Sequence, residues 1–227
     1  MKAIAKLTGF LYLIVAILGV FGFFYIQAQL FVSGNMAATA EKMLAGESLF
    51  RLSVLIHLIS NIIFLTVIIL LYELLKKIHI LVSRLMLWFV CVAIPLFFIT
   101  EALQFTAFYV FKRDLLASFS SVQAYEIAAT LLRISNVAGE LLMFHWGLWL
   151  IPLGWLVFKS GFIPKIFGVL LWINGAGYMI ASLTYFLWPA QLPLVTTIVM
   201  PTYFSGELPL IVWLLIKGIK EPRNMPE

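Results

Sequence analysis

Charge is what this chain has least of. Only 11% of its 227 residues are Asp, Glu, Lys or Arg, against 63% hydrophobic residues and a mean hydropathy of +1.08. That is too little polar surface to coat a soluble globule, so a water-soluble fold is excluded and an integral membrane protein is implied. Cysteine is almost missing too. Cys91 stands alone in an apolar run, which rules out an intramolecular disulfide and reads as an inert buried thiol. There is no Gly-rich phosphate loop, no Gly-x-Ser-x-Gly elbow, no His-Glu-x-x-His and no paired-Cys motif, so the familiar enzyme signatures are absent. The 15 basic residues exceed the 10 acidic ones, but they fall at the ends of apolar runs rather than in a cluster that could track phosphates. Nucleic acid is therefore not expected as a partner.

What is present is a series of long apolar runs. They predict an all-α polytopic membrane helix bundle of about six transmembrane helices, forming one membrane domain over residues 1–227. The spans are placed at about 7–30, 50–75, 85–111, 122–158, 166–187 and 194–216, with a short outer amphipathic helix at about 35–46. The first run is longer than the core of a signal peptide, so it is read as a retained span behind Lys2 and Lys6. Ser33-Gly34-Asn35 breaks the chain after it. The fourth helix would be about 55 Å long at ~1.5 Å per residue, beyond a ~30 Å hydrocarbon core, so its first turns are expected outside the bilayer and Pro152 is expected to bend it. Pro95 predicts a kink in the third span, and Pro201, Gly206 and Pro209 interrupt the sixth.

The distribution of basic residues sets the expected orientation. Lys2, Lys6, Lys76, Lys77, Arg84, Lys159, Lys165, Lys217, Lys220 and Arg223 fall on one side; Lys42, Arg51, Lys112 and Arg113 fall on the other. By the positive-inside rule both termini are cytoplasmic. The expected location is a bacterial cytoplasmic (inner) membrane.

Polar residues inside the spans are the candidates for function, because each must find a partner in protein or water. Arg133, Asn136 and Glu140 are spaced by three and four and share one helical stripe. His145 lies about 140° around the same helix from Glu140, facing another neighbour. His57 and Asn61, four apart, share a face of the second span; Glu101 lies in the third and Glu207 in the sixth. The reading is one polar pocket. Glu140 and Glu207 form its floor, His57 and His145 its walls, Glu101 and Arg133 its mouth, with Asn61 and Asn136 nearby. It would take a small amphiphile, a lipid or a cation.

A metal site would have to be assembled across helices from these Glu and His side chains. An intramembrane lipid hydrolase or transferase, metal-dependent or not, and a purely structural or assembly role are the alternatives. No cofactor is specified. Membrane lipids are partners by position, and a homo-oligomer is an open arrangement, since six spans is short for a secondary transporter. Asn174 sits in a small-residue patch, Asn-Gly-Ala-Gly, and reads as glue between helices. Two weak internal similarities also occur. Lys6-x-x-Gly9-x-Leu11 recurs as Lys165-x-x-Gly168-x-Leu170, and Ala138-Gly-Glu140-Leu141 recurs as Ser205-Gly-Glu207-Leu208.

Gly9-Phe-Leu-Tyr12, Glu47-Ser-Leu-Phe-Arg51, Lys159-Ser-Gly-Phe-Ile-Pro-Lys-Ile-Phe-Gly168 and Gly206-Glu207 are the stretches by which the chain resembles a bacterial membrane family catalogued as domain of unknown function 4386. The resemblance runs over almost the full length. It implies a multi-span architecture and carries no activity with it.

Overall fold

A computed structural model of the protein describes residues 1–32 and 34–218. Ser33, Lys220 and Arg223, used above for a helix break and for charge counting, lie outside the described residues. Every regular element described is helical. Six helices are long and apolar enough to cross a membrane: Lys2–Leu30, Glu47–Leu75, Ile80–Phe111, Ser121–Lys159, Lys165–Leu187 and Pro189–Ile216. They are called spans one to six below. Their outer surface is apolar, with Ile62, Val122, Ile198 and Ile216 each more than 60% exposed, the inverse of a water-soluble surface and the expected face toward lipid.

The breaks between elements follow from local chemistry. Gly34 takes a positive φ of 72°, and Asn35 then caps the helix Met36–Ala45 by accepting a hydrogen bond from the Ala38 N–H at 3.0 Å. Span four divides at Trp149 into Ser121–Leu148 and Leu150–Lys159. Pro152 accounts for it, because its ring collides with the carbonyl four residues back, that of Leu148. Span three runs as a continuous helix through Pro95. Span six is discontinuous: a helix Leu192–Val199, a tight 3-10 stretch Met200–Phe204, then a helix starting at Glu207. Span one contains a feature the sequence did not announce, a π-helical segment Val20–Ile26.

The chain forms two compact units, and spans one to four contribute to both. The first unit comprises Met1–Val15, Ile62–Ala93 and the chain from Glu140 onward. Its core holds Trp149 and Phe64, whose rings meet edge to face at 5.5 Å, with Trp146 at 5.3 Å from Phe64. Spans four and five pack here through glycines seven residues apart on each helix. A Cβ on Gly147 would come within 2.5 Å of the Gly175 carbonyl oxygen, and one on Gly168 within 2.6 Å of that of Gly154. Backbone lies on backbone at both crossings, as small residues permit in membrane bundles. The second unit comprises Ala16–Asn61 and Ile94–Gly139. Its core groups Ile26, Met43, Phe50, Phe108, Ala128 and Leu132.

Candidate functional site

In the first unit the polar residues gather where span six breaks. Pro201 and Pro209 remove backbone donors and Gly206 allows close approach: a Cβ there would fall 2.7 Å from Leu171 Cα. The break is thereby held against span five. The freed backbone groups need partners, and Asn174, fully buried on span five, accepts from the Glu207 N–H at 3.4 Å. The Asn174 side chain also lies beside the Tyr178 hydroxyl. Glu207 itself accepts a short hydrogen bond from the hydroxyl of Tyr12, which is buried on span one.

The cluster extends from there. Tyr178 is in electrostatic contact with Glu207 and stacks on Tyr203, ring centroids 4.4 Å apart and planes 11° apart. Tyr203 is in turn in electrostatic contact with Glu140. Each of the stacked phenols thus lies within electrostatic range of one carboxylate. Ser182 donates to the Glu140 carbonyl at 2.6 Å and ties this turn of span four to span five. His145 Nδ1 bonds only its own helix, to the Leu141 carbonyl at 2.9 Å. Among the described residues neither Glu140 nor Glu207 forms an ion pair.

The second unit treats its carboxylate differently. Glu101, buried on span three, meets His57 Nδ1 at 3.0 Å. The His57 ring is sandwiched by fold: Phe97 meets it edge-on at 5.6 Å, and Gly22 of the π-helical segment lies against it, so that a Cβ there would approach Nε2 within 2.8 Å. Asn61 donates back to the His57 carbonyl at 2.9 Å. Nearby, Gln104 donates to Ser135 and Ser135 to the Thr100 carbonyl, joining spans three and four. Arg133 and Asn136 are exposed, and Arg133 pairs with no carboxylate among the described residues.

Of the eight residues singled out from sequence, Glu140, Glu207 and His145 therefore lie in the first unit, and His57, Asn61, Glu101, Arg133 and Asn136 in the second. No group of three or more His, Cys, Asp or Glu side chains able to hold a metal occurs among the described residues. Sequence reasoning missed Tyr12, Tyr178 and Tyr203 as partners of the carboxylates. The available signal was position, since tyrosines in membrane helices favour the interfaces and a buried phenol needs a hydrogen-bond partner.

A family model described as "Domain of unknown function (DUF4386)" matches residues 7–218. The chain belongs to the DUF4386 family. The DUF4386 match takes in every residue of both polar clusters and the whole of the broken span. An uncharacterized protein from the archaeon Archaeoglobus fulgidus is 43% identical over 74 residues, covering 33% of this chain and 42% of the relative. The chain thus spans less than half the length of that relative. No solved structure matches it.

Proposed function

We propose that this multi-pass membrane protein binds a small cation, inorganic or the ammonium head of an amphiphile, at the break in span six, with Glu207 as the anionic ligand and Tyr12, Tyr178 and Tyr203 as its walls. One observation carries the reading: Glu140 and Glu207 lie in a membrane unit and, among the described residues, no basic side chain pairs with either. A carboxylate within a span is costly unless compensated, which makes it a functional-site hypothesis by default. Phenol oxygens and ring faces are suitable company for a cation. A discontinuous helix is also the usual means by which membrane proteins bring backbone groups to a bound ion.

We infer a cytoplasmic membrane with both termini on the cytoplasmic side; the basic-residue bias supports that orientation. Of the four residues that run against the bias, Lys112 and Arg113 are occupied locally. Lys112 sits 3.3 Å from Glu47, and Arg113 donates to the carbonyls of Ala117, Phe119 and Ser120.

Purified protein in mild detergent should be stabilised against heat by one member of a series of sodium, potassium and alkylammonium salts at equal ionic strength, and native mass spectra should show the matching adduct. The effect should vanish in the Glu140→Gln, Glu207→Gln double variant. Equal response of wild type and variant to every salt would overturn the reading.

A further inference from the structure

The last span carries a second feature with chemistry of its own. Phe167 of span five and Phe204, Leu208, Val212 and Trp213 of span six wall a groove of about 540 Å³, and among the described residues the only polar one lining it is Lys217. From Leu208 to Lys217 the groove follows the helix for roughly 14 Å at ~1.5 Å per residue. At its Lys217 end the chain turns through Gly218, which has a φ of 63°. A Cβ on Gly218 would lie 3.1 Å from Lys2 Cγ and 3.7 Å from Lys6 Cγ, so the stems of both lysines rest against the same end of the span. Lys217 therefore lines the end of an apolar groove on a membrane span, the stems of Lys2 and Lys6 lie beside the adjoining Gly218, and none of the three has a carboxylate partner among the described residues.

We propose that this groove binds one anionic phospholipid, an acyl chain lying along Phe204, Leu208, Val212 and Trp213 and the phosphate held by Lys217, Lys2 and Lys6. Apolar walls fit hydrocarbon, while long basic side chains at a span end reach to the headgroup level. Charge complementarity selects an anionic headgroup over a zwitterionic one. The site is independent of the cation site, since Glu207 does not line the groove.

The test is native mass spectrometry of the full chain in mild detergent, offered phosphatidylglycerol and phosphatidylcholine of identical acyl chains. The wild type should retain phosphatidylglycerol preferentially, by about tenfold, since each lysine near a membrane surface contributes a several-fold attraction. Replacing the three exposed lysines by Gln should bring retention down to the phosphatidylcholine level. Val212→Trp, at a position half exposed, fills the groove with the lysines intact and should also abolish the preference. Equal retention of the two lipids by wild type would overturn the proposal, as would full preference in Val212→Trp, which would assign the effect to surface charge without a groove.

Discussion

The two units hold their carboxylates in opposite ways. Glu101 is closed: a histidine lies 3.0 Å away, an aromatic ring meets that histidine edge-on, and a glycine on a π-helical turn leaves room for the imidazole and little more. Glu207 is open by comparison. It accepts from one phenol, lies within electrostatic range of a second, and sits at the start of a half-helix whose backbone N–H is met by Asn174. A buried acid with a base beside it is compensated and can serve stability alone. Among the described residues the membrane-embedded Glu207 has no basic partner, and that difference is what the proposed cation site rests on.

If so, damage to the closed cluster should appear in stability. Glu101→Leu strands His57 in the core and should cost about 3 kcal/mol in unfolding by SDS titration in mild detergent. Pairing it with His57→Phe should recover most of that loss, because removing both partners leaves no orphaned polar group. A cycle showing simple additivity would mean that the pair is not coupled. Gly22→Ala should follow at about 1–3 kcal/mol, since its Cβ falls 2.8 Å from the ring nitrogen and something must shift. Gly139→Ala is the control: nothing lies within 4 Å of the added carbon, and the better helix propensity of Ala should make it neutral or slightly stabilising.

The same glycines show how much was legible beforehand. Composition and run length carried the architecture, because six long apolar segments admit few alternatives in a bilayer. The interruption of span six was legible from Pro201, Gly206 and Pro209. The pairing of polar groups was not. Arg133, Asn136 and Glu140 do share a stripe, but periodicity within one helix says nothing of what the next helix presents, and Arg133 and Asn136 are exposed. Glu101 meets His57 of another span, and Tyr12 reaches Glu207 across 195 positions of chain. Likewise the two Gly-Glu pairs look alike in sequence yet differ in setting: Gly206 lies against the Leu171 backbone, while Gly139 has open space around it. A short match does not encode the neighbour.

In the open cluster the expected losses shift from stability to binding. Tyr12→Phe removes the donor to Glu207 and should cost about 1 kcal/mol, with weaker cation response through the loss of an oxygen that positions the carboxylate.

Glu207→Gln is the sharpest case because it should do least to the fold. The amide oxygen still accepts from Tyr12 and the backbone N–H still reaches Asn174, so unfolding should change by less than about 0.5 kcal/mol, whereas the salt-specific stabilisation should disappear. Gln also removes the charge that lipid makes costly, so a slight gain in stability is consistent with a site kept for binding rather than for folding. A loss as large as that of Glu101→Leu would place Glu207 with the closed cluster, and the contrast between the two units would then be one of geometry and not of role.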